Sequence, residues 1–223
     1  FSRAIKTGEG TYTVTGLTPL QSIEVQQGTL EIKGDYCFDL GSRFAPSVMS
    51  GAGGGQLVIT GKLDFAGYLD VHRGKGHHRD GDQQVVLHAQ NGIGDGLNFS
   101  NINLPENTPL LAFSSEVTSH DVLINTAVKP FDTVAQSRNE QSIAGYLDNL
   151  LPAASGDISV ALGEIQAISA GGHDQAFRSL SPEGYVNAQQ AVKAGFGQYA
   201  GTVQQRTRGL RQLRMYNQFL QPG

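Results

Sequence analysis

Short runs of alternating apolar residues, bounded by glycine, recur in the first half of the chain. The segments 10–16, 28–34 and 55–61 each begin and end with glycine and carry apolar residues at their third and fifth positions. Because side chains alternate along a strand, those two positions share one face. These apolar positions are Tyr12, Val14, Leu30, Ile32, Leu57 and Ile59. A strand that returns about every twenty residues predicts a solenoid with these residues facing one core, and hairpin strands of a sandwich are the alternative.

The apolar period lengthens after Pro130 and indicates helices. Ser137 is followed three residues later by Glu140, the pattern of a capping box at a helix start. The predicted apolar face of this first helix is Ile143, Tyr146, Leu147, Leu150 and Leu151. Asp157 is the predicted cap of a second helix, which ends at Gly171. Its predicted apolar face is Ile158, Ala161, Leu162, Ile165 and Ile168.

A third helix is predicted for residues 182–214. Its apolar stripe is Tyr185, Ala188, Val192, Phe196, Tyr199 and Val203, which follows helical spacing. Glycine costs about 1 kcal/mol relative to alanine inside a helix. The four glycines are Gly184, Gly195, Gly197 and Gly201. The pattern therefore predicts a helix that needs a supporting environment.

Three stretches in this second half resemble the passenger-to-barrel junction of bacterial autotransporters, the type V secretion family. They are residues 138–148, residues 175–185, which contain a Leu-Ser-x-Glu-x-Tyr motif, and the helix of residues 185–214. The family's right-handed parallel β-helix fits the strands upstream. We therefore predict a mainly β fold, in which residues 1–133 form β-helix coils and a C-terminal cap, an autochaperone-like region. Residues 134–223 would form an α-helical junction and linker.

The resemblance implies a role in secretion. The chain would be a non-enzymatic stalk on the bacterial cell surface or outer membrane, or secreted, that supports folding of an upstream adhesive or virulence passenger. Its implied partners are its own C-terminal translocator barrel, the outer-membrane assembly machinery and a host or cell-surface ligand. Because no alternating strands follow Val203, we expect that barrel to be absent from this chain.

The amino-acid composition argues against several classes of protein. The net charge is −4 and the calculated pI is near 5.8, which argues against a generally basic nucleic-acid binder. Cys37 is the only cysteine, so an internal disulfide cannot form. No apolar run has the length of a membrane-spanning helix. The start at Phe1, without methionine or a signal peptide, predicts a fragment of a larger exported protein.

The densest polar cluster is residues 72–82. His72, His77 and His78, with two aspartates, are residue types that bind divalent metals. Arg73 and two further basic residues would repel a cation, and the spacing fits no standard zinc pattern. We therefore predict a solvated loop without metal.

Other motifs give no catalytic or cofactor residues. Residues 91–96 alternate glycine with other residues but lack the context of a P-loop or dinucleotide motif, so a turn is predicted. His120 and Asp121 have no Gly-x-Ser-x-Gly nucleophile nearby. Gly197 and Gly201 lie in a sequence too polar for a membrane dimer face. We predict no catalytic residue, no cofactor and no metal.

Two questions stay open. A carbohydrate-active β-helix enzyme, a polysaccharide lyase or hydrolase, would need clustered acids in one groove. The candidates Asp35, Asp39, Asp64 and Asp70 read more easily as solvent-facing turn residues. Adhesion through an exposed flank is a third function.

The second open question concerns four arginines near the C-terminus: Arg206, Arg208, Arg211 and Arg214. They form either a solvated helix end or a surface that contacts a pore or anionic lipid.

Overall fold

A computed structural model of the chain describes residues 3–94 and 102–181. The described residues belong to two units, one that ends at Ala176 and one that begins at Phe177. The second unit is described only as far as Ser181, at the end of a helix. The helix predicted for residues 182–214, with its four arginines and its glycines, therefore lies outside the described residues. The predicted division after residue 133 stays a prediction.

The described residues form fourteen strands and three α-helices. The first seven strands are β1 (Arg3–Lys6), β2 (Thr11–Thr15), β3 (Ser22–Val25), β4 (Gly28–Lys33), β5 (Tyr36–Phe38), β6 (Arg43–Val48) and β7 (Gly55–Ile59). The other seven are β8 (Leu63–Phe65), β9 (Tyr68–Asp70), β10 (His72–Arg73), β11 (Gln83–Ala89), β12 (Ile102–Asn103), β13 (Leu111–Val117) and β14 (Asp121–Val128). The helices are α1 (Arg138–Leu150), α2 (Gly156–Gln166) and α3 (His173–Leu180).

The strands belong to three sheets. One six-stranded sheet has the order β1-β3-β6-β9-β12, with β10 also paired to β6, and its pairs are parallel. The second has the order β13-β14-β11-β7-β4-β2. Within it β2, β4, β7 and β11 pair in parallel, whereas β14 pairs antiparallel with β11 and β13. Strands β5 and β8 form a small parallel sheet.

The three glycine-bounded repeats pair side by side in parallel register. Leu30 lies between Tyr12 and Leu57, and Ile32 lies between Val14 and Ile59. Four of the six predicted core residues are buried: Leu30, Ile32, Leu57 and Ile59. Tyr12 is 62% exposed, so the prediction that it faces the core is wrong. It lies on β2, the edge strand, which pairs only with β4 among the described residues.

Glycine at the start of β4 has a steric cause. Gly28 has a φ of +73°, a conformation that side chains disfavour. A Cβ at this position would also lie 2.5 Å from the carbonyl oxygen of Gly10. Gly28 therefore permits both the bend and the close approach of the neighbouring strand, whereas Gly10 has only the positive φ and Gly55 only the close approach.

Aromatic side chains fill the core between the sheets. The rings of Phe38 and Phe65, paired in the small sheet, lie 4.7 Å apart between centroids. Phe44 lies 6.2 Å from Phe38, and Tyr36 contacts Phe38 edge-on at 5.0 Å. All three phenylalanines are at most 1% exposed. Such rings bury large apolar areas and contribute strongly to core stability.

The capping box predicted at the start of α1 is confirmed. The Ser137 side chain accepts a hydrogen bond from the Glu140 backbone N–H, and the Glu140 carboxylate accepts one from the Ser137 backbone N–H. The predicted apolar face is only partly buried, because Leu147 is buried and Tyr146 is 64% exposed. The buried residues of α1 are Glu140, Ala144 and Leu147.

The predicted fold class is wrong. We expected a mainly β chain with a right-handed parallel β-helix, a C-terminal cap and a helical linker. The described residues instead have mixed α/β content, with parallel and mixed sheets and three helices. The parallel order ends at β11, because the chain returns through the Thr118–Asp121 turn as an antiparallel hairpin. An alternating pattern fixes which residues face the core but leaves the direction of the partner strand open.

Candidate functional site

The histidine-rich loop of residues 74–82 connects β10 and β11 and lies against α2. His77 and His78 are only 4% and 1% exposed. The prediction of a solvated loop is therefore wrong for these two residues. His72, which precedes the loop on β10, is exposed as predicted. We call the surface between residues 73–78 and α2 the histidine-loop interface.

Three residues of α2 form one side of this interface. Ser159, Gly163 and Gln166 are spaced four and three residues apart, so they lie on one face of the helix. A Cβ at position 163 would overlap the carbonyl oxygen of Gly76. Glycine is thus required there for the helix to approach the loop backbone so closely. The predicted apolar face of α2 is wrong at Ile158 and Ala161, which are exposed, whereas Leu162 is buried.

Gln166 holds the loop backbone through two hydrogen bonds. Its side-chain oxygen accepts from the His78 N–H at 2.8 Å, and its side-chain nitrogen donates to the His78 carbonyl at 2.9 Å. Gln166 is fully buried. The Gln166 amide therefore pairs both the backbone N–H and the backbone carbonyl of His78. These are the two groups that a neighbouring β-strand would otherwise pair.

Two further contacts extend the interface. The His77 N–H donates to the Ser159 hydroxyl at 3.3 Å, and the His77 Nδ1 lies 2.8 Å from the same oxygen. Arg73 donates to the Gly163 carbonyl at 3.2 Å and forms an ion pair with Glu164 at 3.1 Å. The Arg73 guanidinium therefore neutralises part of the helix surface where the loop docks.

The two imidazole rings are held neutral. Burial lowers the pKa of His78 to about 4, and the nearby Arg73 cation adds to this effect. Burial and then Arg79 lower the pKa of His77. His77 Nε2 and both ring nitrogens of His78 have no hydrogen-bond partner within the described part of the chain. The His78 ring packs edge-on against Phe113 at 5.3 Å, so it behaves as an apolar core ring.

A second network joins α2 to β13, an edge strand of the mixed sheet that contains β2, β4, β7, β11, β13 and β14. The Thr108 hydroxyl donates to the Gln166 carbonyl at 2.7 Å and accepts from the Leu111 N–H at 3.0 Å. The Asn107 side chain accepts from the Phe113 N–H at 2.9 Å. Two donors of β13 are therefore already paired with side chains, which protects this edge strand from adding a further strand.

The structure separates the residue types considered for serine-type catalysis. The Ser119 hydroxyl lies 2.8 Å from the His120 Nδ1, but Asp121 pairs with His88 Nδ1 at 2.7 Å. The histidine that contacts serine is thus a different one from the histidine that contacts the carboxylate. Residues 91–94 form the predicted turn, in which the Gly92 N–H donates to Ala89. Residues 95 and 96 of that motif lie outside the described residues.

The carboxylates considered for an enzyme groove have structural partners. Asp35 accepts from the Lys62 N–H at 2.7 Å, and Asp64 forms an ion pair with Lys62 at 3.1 Å. Asp70 is paired with Arg43 at 2.6 Å. Asp39 instead lies beside the Cys37 thiol, where burial and the neighbouring carboxylates raise the thiol pKa.

Within residues 3–94 and 102–181, no group of three His, Cys, Asp or Glu side chains could hold a metal ion. None of the helices described there is long and apolar enough to cross a membrane. The partners of the histidine loop, Ser159 and Gln166, were missed by the sequence reasoning. The small residues Ser159 and Gly163, four apart, were the available signal of a close contact.

No protein-family model matches this chain, and no curated protein matches its sequence.

Proposed function

We propose that this chain is a non-enzymatic junction segment of a surface-exported bacterial autotransporter. It would support folding and secretion of a passenger, and present an adhesive or virulence passenger, on the outer membrane or after release. Its partners would be its own translocator barrel, the outer-membrane assembly machinery and a host or cell-surface ligand. The resemblance of residues 138–148 and 175–185 to that family's junction motivates the proposal.

One structural observation supports it most. The mixed sheet has two different edges: β13 is protected by Asn107 and Thr108, whereas β2 pairs only with β4 among the described residues. A sheet with one protected edge can accept a further strand only at the other. This asymmetry suits a segment that ends a run of parallel strands and favours their pairing from one side.

The first experiment tests export. Intact cells that produce the protein from its own gene are stained with an antibody against residues 3–94, and the outer-membrane and culture fractions are probed with the same antibody. We expect the chain in one of these fractions and expect the antibody to bind intact cells. A chain that the antibody detects only after lysis would refute the proposal. A cytoplasmic marker protein, which must stay unstained in the same intact cells, controls for leakage.

The second experiment tests the folding role. Leu63 and Phe65 are buried in the small sheet at no more than 1% exposure. Replacing both with serine should leave export intact but make the surface-exposed protein protease-sensitive, because the core loses two large apolar groups. The matched control replaces Asp64, an exposed neighbour on the same strand, with serine. Full protease resistance of the double variant would refute the folding role.

A further inference from the structure

Helix α2 buries little apolar surface. The cluster of buried apolar residues between the sheets, which runs from Ile23 to Ile124 along the chain, contains no residue of α2. Of the eleven residues of α2, only Leu162, Gly163 and Gln166 are buried. Leu162 is the one large apolar side chain among these three. The helix can therefore leave the loop without opening the core between the sheets.

Polar contacts hold α2 on the histidine loop instead. The Gln166 side chain pairs the backbone N–H and carbonyl of His78 at 2.8 and 2.9 Å. The Ser159 hydroxyl accepts from the His77 N–H at 3.3 Å. Water replaces such partners once a helix moves away, so each bond contributes only a small net free energy. Docking of α2 therefore depends on the state of the groups that it covers.

Two histidine rings are buried at this interface. His77 and His78 are 4% and 1% exposed, and three of their four ring nitrogens have no hydrogen-bond partner within the described part of the chain. The fourth, His77 Nδ1, lies 2.8 Å from the Ser159 hydroxyl. An imidazolium carries an N–H on both nitrogens. Protonation would therefore bury a charge together with donors that no described residue accepts from, which is costly.

The charged groups of the loop and of β10 oppose protonation of both rings. Arg73 and His77 disfavour a charge on His78, and Arg79 disfavours one on His77. Asp82 acts in the opposite direction on both rings, but burial has the larger effect on each. The neutral form of the two rings is therefore the one that fits the docked helix.

The elements packed against the loop supply no counter-charge to the rings within the described residues. Strand β13 contributes Phe113, whose ring contacts the His78 ring edge-on at 5.3 Å. Helix α2 contributes the neutral Gln166 and also Glu164, whose exposed carboxylate is already paired with Arg73 at 3.1 Å. A protonated ring is therefore better accommodated in water than beneath the helix.

A cleft beside His78 brings three further charged residues near the loop: Asp80, Lys129 and Asp148. The Asp80 carboxylate accepts from the Val128 N–H, and the Asp148 carboxylate accepts from the Phe131 N–H, each at 2.9 Å. Both carboxylates thus hold backbone groups. None of the three residues is among the charges that shift the pKa of His78.

We propose that mild acid releases α2 from residues 73–78 while the sheets stay folded, so that the histidine-loop interface is a pH-dependent switch. The helix would leave because its departure gives the protonated rings access to water. Its departure would also remove the Gln166 carbonyl that accepts from the Thr108 hydroxyl at 2.7 Å. The switch thus reaches from the loop to the residues beside β13.

The size of the effect follows from His78. Its pKa is about 4 in the docked state, against 6.5 for an ordinary histidine. Because the docked pKa is lowered, docking is favoured in full above pH 6.5 and loses this contribution as the pH falls towards 4. The ratio of released to docked helix should therefore rise about 25-fold between pH 7.5 and pH 5.0. His77 adds to the rise, since its pKa is lowered as well.

The experiment is amide hydrogen exchange of the full chain at pH 7.5 and 5.0, with each rate corrected for the intrinsic effect of pH. Amides of residues 160–166 should lose protection about 25-fold or more at pH 5.0, because a released helix of this length is marginal in water. The His78 N–H, which Gln166 holds, should lose protection with them. Amides of Leu30, Ile32 and Leu57 in the core strands should keep theirs.

Two variants give independent tests of the switch. His78→Phe removes the titrating ring and keeps the backbone bonds to Gln166, so the loss of protection in α2 should fall to a few-fold. Gln166→Leu removes those bonds, so α2 should already be released at pH 7.5, with sheet amides still protected. His120→Gln is the matched control, because His120 is exposed and its replacement should leave the pH response unchanged.

The proposal fails if α2 keeps its protection at pH 5.0. It also fails if the core strands lose protection by the same factor as α2, since acid would then unfold the whole chain. An unchanged pH response in His78→Phe would overturn it as well. None of these results depends on export, so the proposed junction function stands or falls separately.

Discussion

Replacing His78 with phenylalanine should reduce the acid sensitivity of folding. Its ring nitrogens have no partner in the described residues, and the ring packs edge-on against Phe113. An apolar ring at this position therefore loses no hydrogen bond. The backbone bonds from Gln166 to residue 78 involve no atom of the imidazole. The exchange thus removes the titrating group and keeps the histidine-loop interface.

The magnitude follows from proton linkage. The folded pKa of His78 is about 4, against 6.5 for an ordinary histidine. Because the folded pKa is lowered, the neutral form is favoured by folding. Its contribution is fully present above pH 6.5 and is lost as the pH falls from 6.5 to about 4. A difference of this size corresponds to about 3 kcal/mol of unfolding free energy.

The charged groups around His78 leave the direction of its pKa shift unchanged. Arg73 and His77 lower its pKa, and Asp82 raises it by a smaller amount than burial lowers it. His77 has a lowered pKa of its own, so some acid sensitivity should remain in the variant. His173 contributes in the same direction, because burial lowers its pKa as well.

The assay is urea unfolding at pH 7.5, 6.0, 5.0 and 4.5, for the unchanged chain and for His78→Phe. The unfolding free energy of the unchanged chain should fall faster over this range, and the difference between the two should grow to about 2 kcal/mol at pH 5. His120→Gln is the control, since His120 is exposed. Parallel pH profiles for His78→Phe and the unchanged chain would refute the reasoning.

Three further substitutions test the core, the interface and a helix cap, each by urea unfolding at pH 7.5. Ile32→Asp should unfold the chain, because it buries an unpaired charge, whereas Ile32→Val should cost only about 1 kcal/mol. Gln166→Leu should cost about 2 kcal/mol or more by leaving two buried backbone groups of His78 unpaired, and a loss under 0.5 kcal/mol would contradict this. Ser137→Ala should cost about 1 kcal/mol by removing the cap of α1, and unchanged stability would contradict the cap's role.

The alternating pattern predicted the buried residues correctly for a strand that lies between two other strands with the same pattern. Leu30 and Ile32 are buried because β4 lies between two similar strands. Tyr12 has the same pattern but lies on the edge strand, so its predicted burial failed. Alternation reports which face a residue shares, and burial depends on what lies against that face.

The prediction that the histidine-rich loop is solvated failed at His77 and His78 for a related reason. His77 and His78 lie among charged residues, a composition typical of solvated loops. Their burial results from α2, more than eighty residues later, whose Ser159, Gly163 and Gln166 present hydrogen-bonding atoms instead of apolar ones. A helix that docks through polar side chains and glycine has no apolar stripe at the contact. Periodicity of apolar residues could not reveal it.

The two contact networks of α2 meet at Gln166, and this ties the histidine loop to the sheet edge. The Gln166 side chain holds the backbone of His78, while its carbonyl accepts from Thr108, the residue that pairs a free donor of β13. Loss of the helix would therefore expose the buried histidine rings and remove the carbonyl that accepts from the Thr108 hydroxyl. The contact of Asn107 with the Phe113 N–H involves no atom of α2. Only the Thr108 part of the edge protection, on which the proposed junction role rests, is therefore coupled to the docked helix.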